Sequence, residues 1–356
     1  MNFMTAHELS VLARTRFRVA GFGSAYPSAV LTNRELADDL GVDSDWIESR
    51  CGIQSRFVAD AGETTHSLAV AAAGQALAAV SSWRPDCLIC ATFTPEHQLC
   101  PTAPAIARSL GLGPIPAFDI NAACSGGAVG LLTALSLLAA GTFERVLLVA
   151  SDTTTRHLAP DDARTRILFG DGAAALLLES DPSCGIALRS WVAGSDGTGA
   201  TLFHIPSGET TVSMHGRELF RFASQRGSEM LTEACSLAGI APSDVDYVLL
   251  HQANLRIVEC LQERTAIPPE KWVVNIGGIG NTAAASVLLT LGDLLHDRVP
   301  ADGERILLGA FGAGLTWCAA VFEWGVPAQP LCLSVGRSWV GSSADHATRS
   351  FILNGI

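Results

Sequence analysis

The feature that most constrains the fold is a regular alternation of short apolar runs with longer Ala- and Leu-rich segments. The short runs have the length of buried strands, and the longer segments carry apolar residues at helical spacing. This alternation is typical of a layered α/β fold. The predicted strands are 18–21, 87–92, 117–120, 146–150, 173–178, 247–250, 306–310 and 316–322. The predicted helices are 67–80, 125–140, 218–238, 255–264 and 283–295.

These elements form two series that meet near residues 180–190, where Ser180-Asp181-Pro182-Ser183 interrupts the pattern. No sequence identity between the series stands out, so two similar halves are inferred from the order of elements alone. The predicted organisation is an N-terminal extension at 1–16, a first half at 17–182, a second half at 183–324 and an appendage at 325–356. The appendage has no sustained period, and we expect it to be partly disordered or packed on the surface.

Composition and charge exclude several classes of function. Of the 356 residues 48% are hydrophobic and only 16% are charged, which predicts a large core. The net charge is −12, Lys271 is the only lysine, and no basic run exists to neutralise phosphates, so we expect no nucleic-acid partner. The N-terminus has no apolar signal region and no later stretch is long and apolar enough for a membrane helix. A cytoplasmic protein without a membrane partner and with reduced cysteines is expected.

Cys124 is a candidate nucleophile because of its place in AFDINAACSGG. An apolar strand ends there, a turn of small residues follows, and a helix begins at or just after the cysteine. Unpaired N–H groups and the positive end of the helix dipole at such a place favour a thiolate. The alternative is a buried, inert cysteine, the commonest state of this residue type. Cys87 and Cys90 form a CxxC inside an apolar strand, on opposite faces, and are expected to pack in the core.

His251 and Asn281 are the two other candidates for chemistry. His251 ends the apolar run YVLLH, and open α/β folds place ligand-contacting groups at the carboxyl ends of strands. A core histidine bonded to a backbone carbonyl is the alternative. Asn281 lies in the glycine-rich segment NIGGIGNTAAAS, where a helix cap or a turn residue is the alternative. The glycine spacing fits neither a P-loop nor a dinucleotide fingerprint, and the nine histidines show no HExxH grouping, so a metal hydrolase is disfavoured.

Several segments together resemble the signature segments of β-ketoacyl-acyl-carrier-protein synthase III and its secondary-metabolic relatives. They are DSDWIESRCGIQSR, DINAACSGG, FGDGAAALLLE, LHQANLRI, GNTAAASV and GAFGAGLTWCAAVFEW. The resemblance runs from about residue 17 to 324. It implies the thiolase fold, an α/β architecture of two similar βαβαβαβ halves in a five-layered α-β-α-β-α arrangement, assembled as a homodimer.

The resemblance also implies a role for each matching residue. Cys124 is the acylated nucleophile, and His251 and Asn281 hydrogen-bond the thioester carbonyl of a malonyl-type substrate. Neutral donors aimed at that oxygen stabilise the enolate that decarboxylation leaves. Backbone N–H groups of Cys124 and Ala313 form the oxyanion hole for attack on the acyl-cysteine. No tightly bound cofactor is implied; acyl-CoA and malonyl-CoA or a malonyl-carrier protein are the expected substrates.

Binding roles follow from the same resemblance. Trp46 and Arg50 match residues at the mouth of the tunnel that binds CoA or pantetheine. Arg221, Arg256 and Arg264 match a basic patch that docks acyl carrier protein, which explains how an acidic chain can bind an acidic partner.

The sequence departs from the family pattern at four positions. A second adenine-clamping arginine falls on Ala163, beside Arg164. A lysine of the docking patch is replaced by Glu263. The glycine run near the oxyanion hole contains Ala313. The aromatic gate of the acyl pocket falls on Cys100, which predicts a wider pocket than that of a short-chain starter enzyme.

The resulting hypothesis is decarboxylative Claisen condensation of a Cys-bound acyl group with a malonyl thioester, in fatty-acid or polyketide biosynthesis. The alternative is acyl transfer from the cysteine to an alcohol or amine without decarboxylation, which an acidic residue at position 281 would favour. A non-catalytic partner subunit is a third class, and it would be expected to lack one or more of Cys124, His251 and Asn281.

Overall fold

The computed structural model describes residues 16–80, 82–181 and 185–325, and the backbone of 332–340. The strands are β1 Arg16–Pro27, β2 Ala29–Thr32, β3 Ser55–Val58, β4 Cys87–Ala91, β5 Ala117–Ile120, β6 Arg145–Asp152, β7 Gly172–Ser180, β8 Ile186–Ser195, β9 Phe203–His204, β10 Ser213–Met214, β11 Tyr247–Leu250, β12 Trp272–Val273, β13 Arg305–Gly312, β14 Thr316–Glu323 and β15 Cys332–Val340. The helices are α1 Asn33–Leu40, α2 Ser44–Cys51, α3 Thr65–Ala79, α4 Thr102–Ser109, α5 Gly126–Ala139, α6 Ala163–Arg166, α7 Gly216–Leu237, α8 Leu255–Thr265, α9 Ile276–Ile279 and α10 Ser286–Asp297.

Two five-stranded sheets with the same topology form the frame. The first has the order β1-β7-β6-β4-β5 and the second the order β8-β14-β13-β11-β12. In each order the first two neighbouring pairs of strands are antiparallel and the last two pairs are parallel. A short antiparallel contact of Arg16 and Phe17 with β8 joins the two sheets edge to edge. The two similar halves predicted from element order are therefore present.

Helices separate and cover the sheets in five layers. Helices α5 and α10 lie between the sheets, and their apolar residues share one core with both. Helices α3 and α4 cover the outer face of the first sheet, and α7 and α8 cover that of the second. Cys87 and Cys90 of β4 are fully buried in different cores, one on each face of the sheet. The α-β-α-β-α arrangement expected from the resemblance is confirmed.

A sequence repeat accompanies the topological one. Residues 144–152 read ERVLLVASD and residues 304–312 read ERILLGAFG, so the two segments lie 160 positions apart. Asp86 accepts hydrogen bonds from the N–H groups of Glu144 and Arg145, and Asp246 accepts one from that of Arg305 at the same 160-residue spacing. This identity did not stand out in the sequence because the shared residues are confined to short segments.

The limits of the predicted elements differ from the observed ones mainly where strands or helices are short. Strands β2, β3, β8, β9, β10, β12 and β15 and helices α1, α2, α4, α6 and α9 were not predicted. Residues 1–15, most of the predicted N-terminal extension, and 182–184, at the predicted junction, lie outside the described residues. Within the predicted appendage, the backbone of β15 pairs in parallel with β1. None of the helices in the described part of the chain combines the length and the apolar character that crossing a bilayer requires.

Candidate active site

Cys124 lies in a short 3₁₀ turn, Ala123–Ser125, between β5 and α5. Ala123 has φ 48°, a conformation that a non-glycine residue rarely adopts, and its N–H donates to Asn121 Oδ1 at 3.1 Å. Gly312 packs directly on this turn, since a Cβ at that position would lie 2.7 Å from the backbone nitrogen of Cys124. The sequence therefore sets the thiol at the start of a helix with no side chain over its N–H.

Asn281 lies in a matching turn before α10. Its N–H donates to the carbonyl of Leu168 at 2.8 Å, and its carbonyl accepts from Gly170 N–H at 3.0 Å. A Cβ on Gly170 would lie 2.3 Å from the carbonyl oxygen of Ile279, so the FGDG segment packs tightly against this turn. Asn281 Oδ1 accepts from Ala283 N–H at 3.0 Å, which leaves the amide NH₂ as the group available to a ligand.

His251 follows β11 and is 2% exposed. Its backbone N–H donates to the carbonyl of Gly309, and the next N–H, that of Gln252, donates to Ser286 Oγ at 2.8 Å. The imidazole meets Phe311 edge-on at 5.5 Å between ring centroids, and its Nδ1 has no hydrogen-bond partner among the described residues. Burial lowers the pKa of His251 to about 3, so the ring is neutral at physiological pH and donates a single N–H.

One pocket joins these groups. Cys124, His251, Asn281 and Ala313 all line a pocket of about 690 Å³, including its open mouth. Its other walls are mostly aromatic and apolar, with contributions from Phe169, Phe203, Phe220, Phe222 and Met214. The N–H groups of Cys124 and Ala313 donate no hydrogen bond to another residue in the described part of the chain. The pocket thus presents a thiol, a neutral imidazole, an amide NH₂ and two backbone N–H groups within an apolar wall.

The turn that carries Ala313 is joined to the Ala123–Ser125 turn by one hydroxyl. Thr316 Oγ1 lies 2.9 Å from Ser125 Oγ, and it donates to the carbonyls of Ala122 and Ala313 at 3.1 and 3.0 Å. These are alternative partners of a single rotating hydroxyl hydrogen. The oxyanion-hole role expected for Cys124 and Ala313 stays a prediction.

Opposing effects act on the ionisation of Cys124. Burial raises the pKa of the thiol to about 12, and the carboxylate of Asp152 adds to this rise. The start of a helix favours the anion, but desolvation outweighs it in the unliganded pocket. The role of Cys124 as a nucleophile stays a prediction.

Trp46 and Arg50, which were predicted to lie at a tunnel mouth, are on α2 and do not line the pocket. Arg50 stands over the ring of Trp46, with Cζ 5.6 Å from the ring centroid. The carbonyl of Arg50 accepts from Asn254 Nδ2 at 3.2 Å, and Asn254 lines the pocket. Trp46 is 36% exposed, so its ring is open to a ligand at the rim. Arg164, next to Ala163, is exposed and paired with Asp162 at 2.8 Å.

The remaining predicted site residues lie on the surface. Arg221, Arg256, Arg264 and Glu263 are exposed on α7 and α8. Arg221 stands between Phe220 and Phe222, two pocket residues, and Arg256 precedes the pocket residue Ile257. Arg264 instead lines a separate groove with Glu229 and Glu233. Cys100 is exposed in the loop before α4 and does not line the pocket of its own chain.

Sequence reasoning missed Asp152, the fully buried last residue of β6. Burial raises its pKa to about 6, against the lowering effect of hydrogen bonds from Phe93, Ala284, Thr92 and Thr94. The available signal was a carboxylate at the carboxyl end of an apolar strand. No group of three or more His, Cys, Asp or Glu side chains in the described ranges is arranged to hold a metal ion.

Comparison with known proteins places the chain among condensing enzymes. The family profile described as 3-oxoacyl-[acyl-carrier-protein] synthase III matches residues 118–197, and its C-terminal profile matches 235–324. A curated relative, β-ketoacyl-[acyl-carrier-protein] synthase III 3 of Streptomyces coelicolor, is 42% identical over 324 residues, covering 86% of this chain and 96% of the relative. The corresponding synthase III of a Roseiflexus species is 39% identical over 86% of this chain and 98% of its own.

Solved structures agree with this placement. The 3-oxoacyl-(acyl carrier protein) synthase III of Pseudomonas aeruginosa superposes with a TM-score of 0.83 at 37% identity, covering 88% of this chain and all (100%) of that one. The priming β-ketosynthase of a polyketide biosynthetic pathway superposes with a TM-score of 0.81 at 32% identity, covering 88% of this chain and 97% of that one. The sequence resemblance and the thiolase fold inferred from it are confirmed.

Proposed function

Because the chain belongs to the 3-oxoacyl-[acyl-carrier-protein] synthase III family, and so is a condensing enzyme of fatty-acid or polyketide biosynthesis, we propose that its reaction is a two-step decarboxylative Claisen condensation on Cys124. The observation that carries this proposal is the convergence of Cys124, His251, Asn281 and Ala313 on one apolar pocket. That set supplies a nucleophile and two separate groups of hydrogen-bond donors, one for each step.

In the first step the sulfur of Cys124 attacks the carbonyl of an acyl thioester. The oxygen becomes an oxyanion, which the N–H groups of Cys124 and Ala313 bind. The carbon–sulfur bond of the donor then breaks, the donor thiol leaves with the proton that Cys124 gives up, and the acyl group remains on the cysteine. Because burial favours the protonated thiol in the free pocket, we infer that the proton leaves as attack proceeds.

In the second step a malonyl thioester occupies the vacated space, with its thioester oxygen facing His251 and Asn281. Loss of carbon dioxide leaves an enolate, and the imidazole N–H and amide NH₂ stabilise its oxygen. The enolate carbon attacks the acyl carbonyl, a carbon–carbon bond forms, and the bond to Cys124 sulfur breaks, leaving a thiolate that takes up one proton from water. A neutral His251 suits this role, since a protonated imidazole in an apolar pocket would require its own counter-ion.

The substrates we propose are an acyl-CoA as acyl donor and a malonyl thioester, carried on CoA or on acyl carrier protein. Trp46 and Arg50 at the rim present an aromatic face and a guanidinium, which fit the nucleotide end of CoA. At the nucleotide end of the site, Ala163 stands where relatives have a second arginine, and the neighbouring Arg164 is paired with Asp162. Adenine is therefore held more weakly than in relatives with two arginines. No step requires a tightly bound cofactor.

The carrier-protein surface is proposed to centre on Arg221 and Arg256. Both flank pocket residues, so a phosphopantetheine arm bound there points at the mouth. Arg264 lies eight residues further along α8, about 12 Å away at 1.5 Å per residue, in a groove shared with Glu229 and Glu233. Those carboxylates, with Glu263 beside Arg264, repel an acidic partner from that end of the helix.

Arg256→Glu is therefore expected to raise the KM for malonyl-carrier protein about 10-fold or more, because it places a like charge against the acidic partner. Arg264→Glu is expected to change it less than about 3-fold. Steady-state kinetics with carrier-bound and CoA-bound malonate would measure both, and the CoA-bound substrate is the control that neither charge should affect strongly. Equal effects of the two substitutions on the carrier-bound substrate would contradict this placement.

A homodimer is proposed through the edge of the first sheet. β5 is the outermost strand of that sheet in the described structure, and so offers unpaired backbone groups to a second copy. The loop before α4 is held against this edge because Asp119 of β5 accepts hydrogen bonds from the N–H groups of Thr102 and Ala103. In the same loop Leu99 is 94% exposed, and a second copy bound at this edge would cover it.

In such a dimer the loop that carries Cys100 faces the partner. Since Cys100 does not line the pocket of its own chain, an acyl gate at this position requires that the loop reach the pocket of the second copy. Cys100→Phe is then expected to narrow that pocket and shift turnover towards short acyl chains. A panel of acyl-CoA substrates would measure the shift, with Val299→Phe as an exposed control elsewhere. An equal preference of wild type and Cys100→Phe for acetyl would reject the gate.

Labelled malonyl substrate tests the proposed reaction against simple acyl transfer. With malonyl thioester labelled in its free carboxyl group, condensation releases one labelled carbon dioxide for each β-ketoacyl product. Transfer of the acyl group to an alcohol or amine releases none. A product formed without carbon dioxide would replace condensation by acyl transfer as the function of this pocket.

A further inference from the structure

The two halves contain a second, closed version of the active-site turn. Cys124 and Ala284 are 160 positions apart, as are Asn121 and Asn281. In both turns the asparagine Oδ1 accepts from the N–H two residues later, at 3.1 Å from Ala123 and 3.0 Å from Ala283. Those two alanines have φ 48° and 52°. The backbone of the Ala284 turn therefore repeats that of the nucleophile turn.

The functional side chains differ between the two versions. Ala284 stands where Cys124 would be, and Ala91, 160 positions before His251, stands where the imidazole would be. The last residue of β6 is Asp152, whereas its counterpart at the end of β13 is Gly312. Gly312 leaves the N–H of Cys124 uncovered. Asp152 instead places Oδ2 3.0 Å from the N–H of Ala284. A carboxylate thus fills the position equivalent to the oxyanion hole.

The other carboxylate oxygen is held by the segment after β4. Asp152 Oδ1 accepts from Thr92 Oγ1 at 2.9 Å, Phe93 N–H at 2.9 Å, Thr94 Oγ1 at 3.0 Å and Thr94 N–H at 3.2 Å. Asp152 is fully buried, so these bonds are not shared with solvent. The side chain connects the strand ends of the first half to the turn that begins at Asn281.

Ala284 also touches the helix of the nucleophile. A Cβ on Gly127 would lie 2.2 Å from the carbonyl oxygen of Ala284, and one on Gly126 would lie 3.2 Å from its Cβ. The glycines after Cys124 therefore let the two turns pack backbone to backbone. A displacement of the Ala284 N–H would move Asn281, which is bonded to the adjacent residue, relative to Cys124.

We propose that Asp152 is a positioning residue: its carboxylate occupies the closed counterpart of the oxyanion hole and holds the Asn281 turn at the distance from Cys124 that decarboxylation requires. This inference rests on the proposed function, because the distance matters only if the pocket decarboxylates a malonyl thioester. Asp152 does not contact the substrate, and it acts through Ala284 and Asn281. Its negative charge has a second consequence, since it opposes ionisation of Cys124.

Asp152→Asn tests the proposal, with Asp86→Asn as the matched control. If the asparagine keeps its Oδ1 bonded to the four donors described above, its NH₂ group points at the N–H of Ala284. Two donors then face each other, and the hydrogen bond to Ala284 is lost. Asp86 also accepts backbone N–H bonds, but at the opposite end of β6. We expect Asp152→Asn to lower malonyl decarboxylation about 100-fold, as a displacement near 1 Å does, and to keep acylation of Cys124 within about 3-fold. Asp86→Asn should change neither.

A second readout separates positioning from a general loss of structure. Alkylation of Cys124 by iodoacetamide, followed against pH, reports the ionisation of the thiol. The ionisable groups around it are Asp152 and, across the pocket, the neutral His251. In Asp152→Asn the alkylation profile should move to lower pH, because the opposing charge is gone. If this variant does not fold, Thr92→Val removes one donor to Oδ1 and should lower decarboxylation about 10-fold with acylation retained.

The outcomes separate this inference from the proposed function. If wild type releases no carbon dioxide from malonyl thioester, condensation itself is wrong. If wild type does and Asp152→Asn, or Thr92→Val in its place, decarboxylates within about 3-fold of it, the positioning role is wrong. Equal losses of acylation and decarboxylation, with an unmoved alkylation profile, would also overturn it, because a merely structural residue behaves in that way.

Discussion

Replacement of Cys124 by alanine is expected to abolish the acyl-enzyme and to lower condensation by about 10⁶-fold, the loss that follows removal of the nucleophile in a well-studied covalent enzyme. The reason is that no other thiol lines the pocket in the described structure. Intact-protein mass spectrometry after exposure to acyl-CoA should show one acyl adduct on wild type and none on the variant.

Cys260→Ala is the control for this experiment. Cys260 is half-buried on α8, away from the pocket, and a thiol of that exposure would account for non-specific acylation. The control should keep the adduct and the full rate of turnover. An adduct that persists in Cys124→Ala and disappears in Cys260→Ala would show that Cys260, and not Cys124, is the acylated residue. The pocket around Cys124 would then not be the active site.

Asn281→Ala and His251→Ala are expected each to lower malonyl decarboxylation by about 10²- to 10³-fold, which is the effect of removing one oxyanion donor, about 2.7–4 kcal/mol of transition-state stabilisation. Acylation of Cys124 should persist in both, because its oxyanion is bound by backbone N–H groups rather than by these side chains. The measurement is carbon dioxide release from labelled malonyl thioester beside the mass of the acyl-enzyme.

Asn281→Asp sharpens the test, since it keeps the size of the side chain but places a carboxylate where the enolate develops. It should be at least as inactive in decarboxylation as Asn281→Ala. Asn275→Ala removes a nearby amide that is bonded to Asp293 and serves as the control. Full condensation by the Asn281 variants would refute the role assigned to the amide.

The chemistry-bearing residues were predictable because each depends on local sequence. Cys124, His251 and Asn281 lie in short segments at strand ends, and the topology of an α/β fold brings such ends to one edge of the sheet. The strands that were predicted are those with continuous apolar runs. Strand β8 was missed because Arg189 and Ser190 interrupt its apolar pattern and its second half is only partly buried.

The ionisation of the nucleophile was not predictable from position along the chain. The start of α5 favours a thiolate, and the sequence contains that information. The burial that raises the pKa of Cys124 and the charge of Asp152 behind it depend on three-dimensional packing of segments 28 residues and more apart. The same holds for Cys100, whose place in a gate depends on whether its loop meets the pocket of a second copy.

The repeat shows how a pattern present in the sequence can remain unread. The 160-residue spacing joins one short segment, 144–152 with 304–312, and scattered pairs such as Asp86 with Asp246 and Asn121 with Asn281, and the intervening residues have diverged. When the turns and strands of the two halves are matched by their hydrogen bonds, Asp152 and Gly312 occupy equivalent positions. One half keeps an uncovered N–H for chemistry, and the other fills the equivalent place with a carboxylate.

A single-turnover experiment tests most directly the claim that one pocket performs both steps. Acyl-enzyme is prepared with one acyl group per chain, freed of donor and mixed with malonyl thioester labelled in its free carboxyl group. We predict that loss of the acyl group from Cys124, release of carbon dioxide and appearance of β-ketoacyl product occur in a 1:1:1 ratio. Carbon dioxide released while the acyl group stays on Cys124, with no β-ketoacyl product, would contradict the claim.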